Sequence, residues 1–260
     1  MENLSITLVQ SKLIWEDPKA NRRHLGEKMA GLAGETDLII LPEMFSTGFT
    51  MAAENLAEPM QGPTLDWLSV QSRQTGAVVT GSIIVREGEN CYNRLIWMRP
   101  DGSHAYYDKR HLFTLAGEHQ HYAAGQQRLS VELRGWRICP LICYDLRFPV
   151  WSRNTTDYDL LLYVANWPER RTRAWRSLLC ARAIENQAYT VGVNRVGEDG
   201  NEVYYAGHSS LYDYAGQRLY ETAHLENVFT TRLSKEPLQQ FRRKFRFLAD
   251  RDTFELPGMK

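Results

Sequence analysis

The stretch Asp159-Leu160-Leu161-Leu162-Tyr163-Val164-Ala165 decides the fold class, and the shorter Asp37-Leu38-Ile39-Ile40-Leu41 repeats its pattern. After the initial aspartate, both runs are apolar at every position rather than at alternate positions. A strand of this composition is covered on both faces, as in a parallel sheet with helices on either side. The two runs therefore predict an internal sheet in an α/β domain.

Further short apolar runs predict more strands of the same kind. They are Ser5–Gln10, Ala77–Val85, Arg94–Met98, Trp136–Ile142 and Ala188–Asn194. Helical periodicity is found in Pro18–Leu32, Thr64–Thr75 and Thr172–Gln187. Pro18 and Pro63 occupy positions where helices begin. Strands that alternate with helices indicate a layered α/β structure, and no linker or repeat interrupts them. We therefore expect a single domain over residues 1–260.

The composition limits the binding partners and the cellular compartments that we expect for this protein. The chain has 31 Lys and Arg against 31 Asp and Glu. This balance gives no general attraction for nucleic acid or anionic membranes. No segment has the pattern of a signal peptide or of a membrane span, so we expect a cytoplasmic protein. The four cysteines include no CxxC pair and no histidine at zinc-finger spacing, so each is a buried apolar residue or a reactive thiol.

The sequence changes character after Leu233, where basic residues stand among aromatic ones. The basic residues are Lys235, Arg242, Arg243, Lys244 and Arg246. Two interpretations remain open for residues from about 234 to 260. The segment is either a tail that packs on a partner subunit or a solvated surface helix followed by a frayed end.

Three polar residues stand near the ends of predicted strands, where α/β proteins often place catalytic groups. They are Glu43, Lys109 and Cys143. Taken singly, each residue is more often structural or solvated. Together they form a chemically complete set, because a thiol at its normal pKa needs a base and a nearby cation to act as a nucleophile. Glutamate supplies the base and lysine the cation.

These residues lie in motifs that resemble the signatures of the nitrilase superfamily of carbon–nitrogen hydrolases. The motifs are Leu41-Pro42-Glu43-Met44-Phe45, Tyr107-Asp108-Lys109-Arg110-His111-Leu112-Phe113 and Ile142-Cys143-Tyr144-Asp145-Leu146-Arg147-Phe148-Pro149, followed by Ala165-Asn166-Trp167-Pro168. The resemblance implies a four-layer α-β-β-α sandwich, a Glu-Lys-Cys triad and frequent assembly into homodimers. It also implies a second glutamate after the lysine, for which Glu118 is the matching position. No metal or organic cofactor is implied.

The string Cys-Tyr-Asp-Leu-Arg-Phe-Pro is most similar to the branch that contains ω-amidases, which hydrolyse the terminal amide of 2-oxoglutaramate and related dicarboxylate monoamides. Arg147 could hold a substrate carboxylate through a bidentate contact, or it could be a buried structural residue paired with Asp145 or another acid. Phe45, Phe49 and Trp167 flank the motifs and are candidate walls of an apolar pocket. An amidase for another small amide, such as a deaminated peptide or N-carbamoyl compound, and a catalytically silent scaffold remain alternatives.

The mechanism that follows uses Glu43 to accept the Cys143 proton before the sulfur attacks the amide carbon. Lys109 and the backbone N–H of Tyr144 would stabilise the oxyanion. Glu118 would position Lys109 or share the role of base.

Two rival sites carry weaker signals. Glu118, His119 and His121, with His111 nearby, have residue types suited to a transition metal, but their spacing matches no metalloenzyme signature. The segment Gly207-His208-Ser209-Ser210-Leu211 lacks the second glycine of a serine-hydrolase elbow.

Overall fold

Two β-sheets lie face to face between layers of helix in the computed structural model, which describes residues 3–256. The strands are β1 (Leu4–Gln10), β2 (Leu38–Ile40), β3 (Val78–Glu87), β4 (Asn90–Met98), β5 (His104–Asp108), β6 (Val131–Leu133), β7 (Trp136–Ile142), β8 (Leu160–Ala165), β9 (Tyr189–Asn194), β10 (Val196–Glu198), β11 (Tyr204–Tyr212), β12 (Arg218–Ala223) and β13 (Asn227–Leu233). The helices are α1 (Pro18–Met29), α2 (Ala53–Leu56), α3 (Pro63–Thr75), α4 (Pro149–Ser152), α5 (Thr172–Asn186) and α6 (Lys235–Lys244).

Each sheet has a parallel centre and antiparallel edges. The first sheet has the order β13-β1-β2-β3-β4-β5, and β1, β2 and β3 are parallel. The second has the order β10-β11-β9-β8-β7-β6, with β12 also paired to β11, and its β7, β8 and β9 are parallel. The carboxyl ends of parallel strands meet at one edge of each sheet. The strands β2 in the first sheet and β7 in the second can therefore each place a residue at a common site where these two edges face each other.

Alternate residues of β2 contact two different cores. Leu38 and Ile40 belong to the large cluster between the sheets, whereas Ile39 packs with Leu25 and Leu68 under helices α1 and α3. Successive side chains of a strand point to opposite faces, so a strand that is apolar at every position is buried on both. The continuous apolar runs therefore reflect burial on both faces of the strand, as the sequence indicated.

Helix α5 covers the outer face of the second sheet. Its Trp175 and Leu179 pack over β9, where Gly192 leaves the necessary room. A Cβ atom at position 192 would lie 2.5 Å from a ring carbon of Trp175, closer than any side chain tolerates. The glycine is thus required by the close approach of helix and strand.

The predicted four-layer α-β-β-α sandwich is confirmed, with the first sheet under α1 and α3 and the second under α5. The sequence patterns did not predict β5, β6 or the strands from β10 to β13. No helix in the described residues is long and apolar enough to cross a membrane. The single domain over 1–260 stays a prediction, and residues 1–2 and 257–260 of it lie outside the described residues.

The basic C-terminal segment forms helix α6, which docks on the second sheet of its own chain. Leu238 is fully buried there. Asp159 forms ion pairs with Lys235 Nζ at 2.8 Å and with Arg242 Nη1 at 3.0 Å. Arg242 also donates to the backbone oxygens of Tyr158 and Gln187. The expectation that residues 234–260 pack on a partner subunit stays a prediction, and its last four residues lie outside the described part.

Asp159→Asn should lower the free energy of unfolding by roughly 3 kcal/mol, because it leaves two cations facing a buried site without a carboxylate. Asp157→Asn is the matched control, since Asp157 pairs with Arg251 but its side chain is 56% exposed. The control should cost less than about 1 kcal/mol. Urea denaturation measures both, and equal losses would contradict the anchoring role of Asp159.

Candidate active site

Cys143 occupies a tight turn directly after β7. Its φ is +40°, in the left-handed region that residues with a side chain rarely adopt. The buried Asp145 carboxylate holds this turn. It accepts hydrogen bonds from the Ile142 backbone N–H at 3.0 Å, the Tyr107 hydroxyl at 2.7 Å and the His111 backbone N–H at 3.1 Å, and its Oδ1 lies 2.8 Å from His111 Nδ1. The carboxylate therefore fixes the turn that positions the Cys143 thiol.

Lys109 lies between two glutamates, and all three side chains are fully buried. Its Nζ is 2.9 Å from Glu43 Oε1 and 2.9 Å from Glu118 Oε2. Glu43 follows β2, Lys109 follows β5, and Glu118 begins a short turn of the next loop. Three separate segments thus converge on one ammonium group, as the sequence motifs predicted for these residues.

Both oxygens of Glu43 are held in place by further donors. Oε1 accepts from Asn93 Nδ2 at 2.9 Å, and Oε2 accepts from the Asn166 backbone N–H at 2.8 Å. Asn166 follows β8 in the second sheet, whereas Glu43 and Asn93 belong to the first. Glu43 therefore links the two sheets at the site.

Burial and charge set the protonation of the cluster. Burial, reinforced by the adjacent Glu43 carboxylate, raises the pKa of Cys143 well above its usual range. Burial opposes the charge on Lys109, but Glu118 and Glu43 outweigh it and raise the pKa of Lys109. Burial also raises the pKa of Glu118, against the attraction of Lys109. The resting site thus holds a neutral thiol beside a firmly protonated lysine.

A pocket of about 280 Å³ opens above Cys143. Its walls include Lys109, Phe49 and Trp167, with Tyr144 beside the thiol. Its basic residues besides Lys109 are Arg147, Arg170 and Arg171. Arg147 is exposed, and its guanidinium lies 4.9 Å from the centre of the Trp167 ring. The structure therefore brings Phe49, Trp167 and Arg147 together around the predicted nucleophile.

Phe45 does not line this pocket, contrary to its predicted place in the wall. The residue is fully buried and packs on Trp67, with ring centres 5.7 Å apart, in the core under α1 and α3. The turn at Met44, whose φ is +43°, directs the chain back into that core. Arg147 is likewise not the partner of Asp145, because His111 and Tyr107 occupy that carboxylate.

The structure forms neither the metal site nor the serine-hydrolase site that the sequence analysis considered as alternatives. His119 and His121 are exposed, and His111 contacts Asp145 instead. Among residues 3–256, no three potential metal ligands converge. Ser209 is buried in β11, where its hydroxyl contacts the backbone of Asn194.

Among the residues of the site that escaped the sequence analysis, four are polar or charged groups close to the predicted residues. Arg170 and Arg171 follow the Trp167-Pro168 motif, and their position beside it was the available signal. Asn166 lies within that motif but had no assigned role. Asn93 precedes a predicted strand, and no local pattern distinguishes it from other polar residues.

Comparison with known proteins agrees with this geometry. The sequence profile of the carbon-nitrogen hydrolase family matches residues 5–243. The chain belongs to this family. As a carbon–nitrogen hydrolase it is 48% identical to the omega-amidase YafV of Escherichia coli K12, over 98% of this chain and all of that protein. It is 33% identical to the 2-oxoglutaramate amidase of Bacillus subtilis 168, over 86% of this chain and 88% of that one.

A solved structure agrees with the fold of this carbon–nitrogen hydrolase. XC1258 from Xanthomonas campestris, a CN-hydrolase superfamily protein with an arsenic adduct in its active site, superposes with a TM-score of 0.97. It is 48% identical and covers 98% of this chain and 100% of its own. The chain is therefore an amidase of the nitrilase superfamily.

Lys109→Met should destabilise this carbon–nitrogen hydrolase by roughly 3–5 kcal/mol, because it leaves Glu43 and Glu118 as unpaired buried carboxylates. The double variant Lys109→Met with Glu118→Gln removes one of those charges and should recover part of the loss. Chemical denaturation of both variants gives the comparison. A double variant no more stable than Lys109→Met would show that the ion cluster does not control stability here.

Proposed function

We propose that this amidase hydrolyses the terminal amide of short dicarboxylate monoamides, of the 2-oxoglutaramate type, to the acid and ammonia. One observation carries the proposal. Cys143 opens into a pocket lined by Arg147, Arg170 and Arg171, and none of the three forms an ion pair with an acid within the described residues. Cations without a carboxylate partner favour a substrate that brings its own carboxylate.

The pocket favours a carboxylate over a neutral group because part of its positive charge is desolvated. Burial, and then the neighbouring Arg170, lower the pKa of Arg171. Its guanidinium lies 5.0 Å from the centre of the Phe113 ring. A bound anion would offset the repulsion between adjacent arginines. The names of the relatives from Escherichia coli and Bacillus subtilis support the same class of substrate.

Glu43 and Cys143 carry out the first chemical step. The thiol proton moves to Glu43 as the sulfur attacks the amide carbon, and a C–S bond forms. The carbonyl oxygen becomes an oxyanion, which Lys109 Nζ and the Tyr144 backbone N–H stabilise. When the intermediate collapses, the C–N bond breaks and the nitrogen takes the proton from Glu43, so that ammonia leaves.

Hydrolysis of the thioester completes the cycle. Glu43 accepts a proton from a water molecule as the water oxygen attacks the thioester carbon. The C–S bond then breaks, the sulfur regains its proton from Glu43, and the acid is released. Glu118 holds Lys109 in place through both steps by contacts at 3.0 and 2.9 Å.

We also propose that the protein works as a homodimer in the cytoplasm. All four cysteines are free thiols, which persist in reducing compartments. Val150 and Phe247 are 48% and 61% exposed, and a second copy of the chain would cover such apolar side chains. Analytical ultracentrifugation of the purified chain tests the dimer.

Cys143→Ala should reduce ammonia release from 2-oxoglutaramate to background while the protein stays folded, because alanine cannot form a thioester. Cys139→Ala is the matched control, since Cys139 is a fully buried strand residue whose pKa burial raises to about 12. It should retain turnover. Peptide mass spectrometry of the acyl adduct locates the nucleophile, and an adduct on another residue would refute the assignment.

Arg147→Lys should lower kcat/KM for succinamate and 2-oxoglutaramate roughly tenfold more than for neutral amides of equal length, because lysine keeps the charge but loses the planar pair of donors. Arg73→Lys, an exposed change on α3 outside the pocket, should alter neither class. Ammonia release measures all rates. Equal losses for acidic and neutral amides would remove Arg147 from substrate recognition.

A further inference from the structure

Arg171 is the most enclosed of the three pocket arginines. Arg147 and Arg170 are exposed, whereas Arg171 is half-buried and its guanidinium lies 5.0 Å from the centre of the Phe113 ring, another part of the pocket wall. Burial and then Arg170 lower the pKa of Arg171, and the Cys143 sulfur lies close enough to oppose them. Attraction between a guanidinium and a carboxylate is screened less where water is excluded. A substrate carboxylate therefore gains most from Arg171.

The pocket has no free acid of its own to neutralise this guanidinium. Asp199 is the one acidic residue among those that line the pocket in the described part of the chain. Its Oδ1 accepts hydrogen bonds from the backbone N–H groups of Asn201 at 2.8 Å and Val203 at 3.1 Å, and its Oδ2 accepts from the Tyr205 hydroxyl at 2.8 Å. The Asp199 carboxylate thus holds its own loop. The charge of Arg171 is left for a ligand that carries an acid.

The backbone of Arg171 is fixed directly before helix α5. Its N–H donates to the backbone oxygen of Pro168 at 3.0 Å, and its own backbone oxygen accepts from Trp167 Nε1 at 2.9 Å. Trp167 and Pro168 also line the pocket. Arg171 therefore combines an anchored backbone with a guanidinium that an aromatic ring supports.

Phe113 connects this guanidinium to the proposed reaction centre. The Phe113 backbone N–H donates to Glu118 Oε2 at 2.5 Å, and its ring contacts the Tyr144 ring edge-on with centres 5.0 Å apart. Tyr144 follows Cys143 and supplies the proposed oxyanion donor. The distance from the Arg171 guanidinium to the reacting atoms is therefore set by packed groups.

We propose that Arg171 binds the carboxylate at the far end of the substrate and thereby selects the length of the acyl chain. A fixed guanidinium places the amide carbon at Cys143 only when the chain between carboxylate and amide has one length. Shorter or longer substrates keep the charge but leave the amide carbon out of place. Arg147 and Arg170 can contact the same carboxylate, because its two oxygens accept several donors. This inference rests on the proposed hydrolysis of dicarboxylate monoamides and assigns the choice among them to one residue.

Ammonia release from succinamate, glutaramate and adipamate, which differ by one methylene each, tests the selection of length. Butyramide is the neutral reference. The wild-type protein should favour one of the three acids over the others by roughly tenfold or more in kcat/KM. Arg171→Gln should lower kcat/KM for the favoured acid about thirtyfold, the effect of losing a charge-assisted hydrogen bond, and should make the three acids nearly equal. Turnover of butyramide should change little.

Arg170→Gln is the matched comparison, since it removes the same charge from the neighbouring exposed position. It should lower kcat/KM for the three acids by one common factor and keep the preference for one length. Arg173→Gln removes an exposed charge of α5 outside the pocket and should change neither the rates nor the preference.

Arg171→Lys keeps the charge but loses the planar pair of donors. It should retain the preference for acids over butyramide and lose most of the preference for one length. This variant also carries the test if loss of the charge in Arg171→Gln prevents folding.

Each contrary result has a distinct meaning. A wild-type protein that releases no ammonia from the three acids would overturn the proposed function and this inference with it. Equal wild-type turnover of the three acids, or a length preference that survives in both Arg171 variants, would overturn the role of Arg171 alone. A preference lost equally in Arg170→Gln would do the same, because it would show that the summed charge of the pocket selects the chain.

Discussion

The ammonium of Lys109, buried between Glu43 and Glu118, is the interaction on which the rest of the site depends. A charge fully removed from water is tolerated only when partners surround it closely. The two carboxylates come from different loops, so each loop must adopt the position in which its carboxylate pairs with the ammonium. The same electrostatic requirement that stabilises the cluster therefore positions Lys109 and Glu43 beside the thiol.

The sandwich divides the site between its two sheets. The first sheet supplies Glu43 and Lys109, and the second supplies Cys143 and Asn166. Polar contacts join the two halves at the site, among them the hydrogen bonds from Asn166 to Glu43 and from Tyr107 to Asp145. Their lengths can be maintained only if the apolar core between the sheets keeps the two layers at a fixed separation. Packing far from the chemistry thus controls the geometry of the reacting groups.

The sequence predicted the parts of the structure that have a local signal. Strands such as β8 are apolar throughout because both of their faces are covered, and Glu43 and Cys143 come after strands of this kind. Lys109 follows β5, which gave no apolar run. Strand β12 likewise gave no apolar run to detect, because it has only exposed and half-buried residues. Phe45 was misplaced because the direction of a side chain after a strand depends on the turn at Met44, and a motif does not encode that direction. The place of Asn93 in the site was identified only from the structure, because its contacts are with Glu118 and Glu43, which lie 25 and 50 positions away in the sequence.

The raised pKa of Cys143 is compatible with its proposed role as nucleophile once the charges of the whole cluster are followed. At rest the Glu43 carboxylate pairs with Lys109, and the thiol is neutral. In the proposed attack the proton moves to Glu43 while the negative charge passes through sulfur to the oxyanion beside Lys109. The number of buried charges is the same before and after this transfer. No step has to create a new charge in a medium that solvates charge poorly, so the barrier is set by how well Lys109 and Tyr144 fit the oxyanion. A resting thiolate beside Glu43 would instead place three negative groups around one lysine, and burial disfavours that state.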